Sequence, residues 1–393
     1  MTRFVLVVGM AVVVCRGATL EVGPGKRFAR PCDAITAAHD GDTVEIDAAG
    51  RYVGDVCVVT ANRLTLRGVN GRPILASGGR VAQGKAIWVI RGRDVFIENL
   101  EFTGAVAPDR NGAGIRHEGG NLTIRNCFFH HNENGILTAS NPQAELLIEF
   151  SEFAWNGAGD GLSHNMYISH LGRFVLQFSY SHDAREGHLV KSRAAETRIL
   201  YNRLSTETSN ASLEIDIPNG GNAWIIGNLI YQGANSANGN MLAFQLEGPH
   251  PENPGESLYV VHNTFVNERF PMGVFIATNR SLHTPPVILN NIFDGPGRIT
   301  THTFAKVDGN LQSPKLKYVA ATQFDYRPAP DSPAVDAAVP IPRELEPRFE
   351  YSHPACGLVR LTKGKADVGA FEAASARGEA VPGAPARCRQ PSK

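Results

Sequence analysis

The stretch EGHLVKSR, residues 186–193, places Glu186, His188, Lys191 and Arg193 close together. A lysine with a tuned pKa can take a proton from carbon, and an arginine fork can grip a carboxylate. A histidine can carry a proton near neutral pH. These residue types suit chemistry on an acidic substrate. Further ionisable and polar groups gather on either side in the chain. His164, Asn165, Tyr167 and His170 come before, then His182, Asp183 and Arg185. Glu214, Asp216, Gln245 and Glu247 follow.

The elements that must position these groups are repeated ones. The segments VFIENLEF, LTIRNCFF, LLIEFSEF, FVLQFSYS, RILYNRLS, WIIGNLIY, YVVHNTFV and VILNNIFD are short alternating strands that share a polar residue. That residue falls at Asn99, Asn126, Ser151, Ser179, Asn202, Asn228, Asn263 and Asn291, with spacings of 23 to 35 residues. Such a period with strand-like alternation is that of a parallel β-helix, in which one coil cannot bury its own inner face but stacked coils can. The shared Asn and Ser residues then read as corner ladders that bond along the stack and satisfy backbone groups in the bends, not as ligands.

Side chains alternate across a strand, so residues two apart share a face. Counting from the corners pairs Ser163/Asn165 with Lys191/Arg193, Glu214/Asp216 and Gln245/Glu247 on one outer face. Met166, Ile168, Val190, Ser192, Ile215, Ile217, Phe244 and Leu246 then face the core. This count puts Lys191 over Glu214 and Arg193 over Asp216. The stripe is confined to the middle coils, since ILTAS and VFIATN in the end coils are bland. Exposed cross-strand ion pairs are common and contribute little, so a solvated ion ladder is the competing reading. It leaves the crowd of His, Tyr and Asn beside the stripe without a reason.

Lysine plus arginine equals aspartate plus glutamate at 38 each, so no global field attracts nucleic acid or an anionic membrane. Arg3 followed by the apolar run Phe4–Val14 predicts a signal peptide over residues 1–18, too short to span a bilayer. The expected protein is secreted or periplasmic, monomeric, and without a membrane span. Export allows Cys32 to pair with Cys57 and Cys356 with Cys388, while Cys127 reads as a buried small apolar residue. The expected organisation is an N-terminal cap over 19–62 with a short helix in PCDAITAAHDGD, β-helix coils over 63–312, an irregular segment packed on them over 313–372, and a disordered tail over 373–393.

VGPGKRF…AITAAHDGDTVEI, the coil strands and DSPAVDA…DVGAFE together resemble exported bacterial right-handed parallel β-helix proteins of the pectate-lyase-like superfamily. The resemblance covers about residues 20–372 and implies an all-β, right-handed solenoid. It does not specify a reaction, because the superfamily holds lyases, hydrolases, epimerases and adhesins. Locally, Glu186 to Ser192 is similar to the β-helix alginate lyase and chondroitinase B group. That similarity implies Lys191 as base and Glu186 as a Ca²⁺ ligand. The arginine that the group's next coil supplies has no counterpart in LEIDIP, and Ala184 stands where the group has a second acidic residue.

A uronate polysaccharide is the expected substrate and β-elimination the leading reaction. Lys191, Arg193, His188, Tyr167 and His170 are the candidate catalytic groups. Asn165, His164, Arg185, Glu214, Asp216, Gln245 and Glu247 are the candidate substrate contacts. Two other readings stay open: a glycoside hydrolase using paired carboxylates such as Glu214 and Asp216, and a non-catalytic glycan-binding solenoid.

Overall fold

The computed structural model describes residues 17–373 and 378–389. The leader expected over 1–18 lies, through residue 16, outside the described residues. Each coil contributes one strand to each of three parallel sheets, of twelve, ten and ten strands. Leu171–Gln177, Tyr180–His182 and Val190–Ser192 make one such coil, and Glu196–Leu200 starts the next. The protein is an all-β parallel solenoid, as its repeat period requires.

Alternation fills the interior. Ile97, Ile124, Ile148, Leu176, Ile199, Ile225, Val260 and Ile288 pair strand on strand, and all are fully buried. Phe102, Phe129 and Phe153 stack at 4.9 and 4.8 Å between ring centroids. Like residues meet because successive coils repeat the same angular position, and each stack removes apolar surface that one coil alone would expose.

The corner ladder runs through Ser151, Ser179, Asn202, Asn228, Asn263, Asn291 and Asn310. The backbone N–H of each rung through Asn291 donates to the side-chain oxygen of the next. Asn99 and Asn126 stand off this line but still bond along the stack, Asn126 Nδ2 donating to Asn99 Oδ1 at 3.1 Å and Asn99 Nδ2 to the Gly68 carbonyl at 3.0 Å. Cys127 occupies the rung position, its N–H donating to Ser151 Oγ at 3.1 Å. Asn99 and Asn126 sit one residue earlier, at the left-handed bend that opens every corner (φ 58° and 52°). Asparagine tolerates both positions, which is why a one-residue offset is invisible in the repeat.

Later coils put Phe150, Phe178 and Tyr201 at that bend, with φ of 51–56°. A bulky residue in this region costs about 1–3 kcal/mol. Their rings point outward, stack at 5.2 and 5.6 Å, and are covered by Leu345, Val381 and the Cys356–Cys388 disulfide. Residues 378–389, within the tail expected to be disordered, therefore fold back on the coils; Arg387 donates to the Phe150 carbonyl at 2.9 Å.

At the other end, the helix Pro31–Ala37 packs Ala34 and Ile35 into the first coils. Proline in its first turn gives up an N–H that has no helical partner anyway. Cys32–Cys57 ties the helix to the solenoid, and Cys127 is free and buried. Among the described residues, no helix is long and apolar enough to cross a membrane.

Candidate active site

The third sheet carries the ionisable groups, and strand pairing sets their neighbours. Leu137, Tyr167, Lys191, Asp216 and Ala243 stand in register on successive coils. Lys191 therefore meets Asp216, not Glu214 as counting from the corners implied. The bends between corner and strand differ in length from coil to coil, so a fixed count slips by two residues. The slip does not change which face Lys191 and Arg193 occupy, but it changes which acid they meet.

Lys191 Nζ lies 3.1 Å from Asp216 Oδ2 and 3.3 Å from Glu247 Oε1. Arg193 Nη1 lies 2.8 Å from Glu247 Oε2. Its Nε donates to the Tyr167 hydroxyl at 3.0 Å, and Nη1 also donates to Asn219 Oδ1. Both cations lie over the Tyr167 ring, 5.7 Å from its centroid. Lys191 and Asp216 are buried, whereas the Glu247 side chain is 48 % exposed. Burial raises the Asp216 carboxyl above its ordinary value despite Lys191. For Glu247 burial also pushes upward, but hydrogen bonding to Arg193 and the charge of Lys191 bring it below the ordinary value. Burial opposes the Arg193 charge, yet Glu247 and Tyr167 raise its affinity for the proton.

His188 and His164 form the floor on one side. Their rings stack at 4.6 Å. His164 Nδ1 accepts the His188 N–H at 2.9 Å, and His188 Nδ1 accepts the Leu213 N–H at 3.2 Å. Those bonds assign both rings the neutral Nε2–H tautomer. His188 Nε2 then faces Asp216 Oδ2 at 3.4 Å. Burial and the nearby Lys191 push His188 down to about 3. Burial, His188, Lys191 and Arg193 hold His164 well below the usual range. At neutral pH these rings are fixed N–H donors, not proton carriers.

Other expected site residues sit elsewhere. Asn165 faces inward and is fully used: it accepts from Asn156 at 2.9 Å and donates to Ser181 Oγ and the His182 carbonyl. Glu214 is also interior, accepting from Thr206 Oγ1 at 3.0 Å and Gln232 Nε2 at 3.2 Å. Burial drives its pKa well above the ordinary value. Gln245 is buried in a left-handed bend (φ 58°). That bend ends the strand, so Leu246 emerges into solvent instead of entering the core. Arg185 and Glu186 are exposed on the bend before His188, where Glu186 Oε1 accepts from Asn210 at 3.3 Å. His182 and Asp183 bond to one another at 2.9 Å on the second sheet, beside Glu152.

His170 stacks on His250 at 3.9 Å, with Glu252 3.8 Å from its Nδ1. Asn219, His250 and Glu252 were not singled out by sequence. The signals available were the turn PNGG and the long insertion EGPHPENPG, whose length marks a loop but not where it folds.

Glu247, His250 and Glu252 all belong to that loop. Asn253 Nδ2 holds it to the Arg193 carbonyl at 3.1 Å, and Asn219 Nδ2 holds Gly248 at 3.2 Å.

The chain is similar in fold to the crystal structure of pectate lyase Pel9A, with a TM-score of 0.59 and 13 % identity, over 92 % of this chain and 98 % of that one. No family model matches the sequence. No curated protein matches it.

Proposed function

We propose that this protein is an exported enzyme that cleaves a uronate-containing polysaccharide by β-elimination on the Lys191 face. One observation carries the reading. Lys191 and Arg193 hold the two oxygens of a single carboxylate, that of Glu247, at 3.3 and 2.8 Å. A uronate carboxylate that displaces Glu247 meets the Arg193 guanidinium and Lys191, which is an amine once its proton has passed to Asp216 and an ammonium again once it holds the C5 proton. Their charge stabilises the carbanion-like state that forms when the C5 proton leaves.

The remaining groups complete the step. A lysine acts as base only as the free amine, and Asp216 is the nearest acceptor for its ammonium proton. Burial has already raised the proton affinity of that carboxyl. The amine takes the C5 proton, the C4–C5 double bond forms, and the C4–O bond breaks. Tyr167 accepts from Arg193 through its oxygen, which leaves its own hydroxyl proton free for the departing oxygen. The pectate lyase Pel9A fold and two disulfides support an exported, polysaccharide-acting protein. Among the described residues, no three acidic or histidine ligands converge beside Lys191, and Glu186 is bonded to Asn210.

A second reading rests on the carboxylates. Asp216 is shifted upward and Glu247 downward, the pattern of an acid paired with a nucleophile or base. Both touch Lys191 Nζ, at 3.1 and 3.3 Å, so these oxygens are at most about 6.4 Å apart, close enough for two carboxyls to act on one glycosidic bond.

The deciding experiment is a panel of uronate polysaccharides followed by ultraviolet absorbance of the unsaturated product, wild type beside Lys191→Ala. Elimination predicts absorbance that the variant loses by about 10²–10⁴-fold. Reducing ends without absorbance favour hydrolysis. Binding without turnover removes both readings.

A further inference from the structure

The geometry points to a transition-metal site of the zinc class formed by His170, His250 and Glu252. This inference does not rest on the elimination reading. One ligand atom from each of the three residues lies within 4.8 Å of the other two. His170 follows the strand Met166–Ile168, while His250 and Glu252 come from the insertion after Asn240–Phe244. The fold alone brings them together.

Two features favour a metal over a plain ion pair. His170 Nδ1 is buried and makes no hydrogen bond, an unusual state for a ring nitrogen. Glu252 Oε2 lies 3.8 Å from that nitrogen, too long for a hydrogen bond, on a side chain 45 % exposed and free to swing. With bonds of about 2.0–2.1 Å, tetrahedral ligand atoms stand about 3.3 Å apart. Closing the cluster takes shifts of up to about 1.5 Å, and the two stacked rings must turn so that their nitrogens converge on the ion. Two imidazoles and one carboxylate are borderline donors that suit Zn²⁺, and they leave a fourth position open. Ca²⁺ prefers six or more oxygen ligands, which are not gathered here.

An ion at this position would tie the loop carrying Glu247 to the turn beside Arg193.

The test is binding, not turnover. Chelator-stripped protein titrated with Zn²⁺ by calorimetry should show one strong site per chain, and Co²⁺ should give the visible d–d absorption of a bound ion. His250→Ala and Glu252→Gln, both on the loop and checked for an intact fold by circular dichroism, should each weaken Zn²⁺ binding at least tenfold. Equal Zn²⁺ affinity in wild type and the double variant overturns the site. So does Ca²⁺ binding where Zn²⁺ does not bind.

Discussion

Arg193 Nη1 holds Glu247 Oε2 at 2.8 Å, while the other oxygen of that carboxylate faces Lys191 at 3.3 Å. On the elimination proposal, Glu247, delivered by a loop, occupies the place of the substrate's carboxylate. Under elimination it competes with substrate, and Glu247→Ala should lower KM severalfold with kcat nearly unchanged. Under hydrolysis it takes part in the chemistry, and the same change should cut kcat by about 10²-fold or more. Steady-state kinetics of this one variant separate the two reactions.

Arg193 reaches Tyr167, Glu247 and Asn219 at once through a planar fork. Lysine offers one compact cation and cannot replace that geometry. Arg193→Lys should keep the fold and raise KM for acidic polysaccharides by at least tenfold. An unchanged KM would remove Arg193 from substrate binding.

The buried rung Asn228 donates to the Ile199 carbonyl at 2.8 Å and to Asn263 Oδ1 at 2.9 Å, and it accepts from Asn202. Asn228→Ala leaves several backbone and amide groups without partners, each at about 1–3 kcal/mol. Loss of at least about 3 kcal/mol is expected in urea unfolding. A loss below about 1 kcal/mol would mean that the ladder is ornamental.

Buried His117 is pushed down to about 4 by desolvation from an ordinary value of 6.5. Its folded pKa lies below the unfolded one, so the unfolded chain binds more protons as pH falls. The stability it contributes is whole above about pH 6.5 and drains away toward pH 4, at about 1.4 kcal/mol per pH unit. His117→Leu should flatten that acid limb. Urea midpoints at about pH 7 and pH 5 check this, and an unaltered pH slope would count against it.

Glu214 has the opposite sign. Burial raises its carboxyl well above 4.5, so its contribution is whole below that pH and falls as pH rises toward the folded pKa. Glu214→Gln should gain stability relative to wild type as pH rises above about 4.5, without loss of turnover. Lost turnover at wild-type stability would return Glu214 to the chemistry.

The coil period, the polar corner, the capping helix and the two cysteine pairs were legible because each is a periodic or local property of the chain. Alternation alone also put Lys191, Arg193 and Asp216 on the outer face. It misplaced Asn165 and Glu214, which precede their strands and turn into the corner, where polar interior groups satisfy one another. Which acid meets Lys191 depends on how one coil registers on the next. Register follows from bend lengths that vary along the solenoid and leave no periodic mark. The loop that brings Glu247 to Arg193 and His250 to His170 is longer-ranged still. Its path is decided by packing and by two asparagine tethers, so only the tertiary structure could place it.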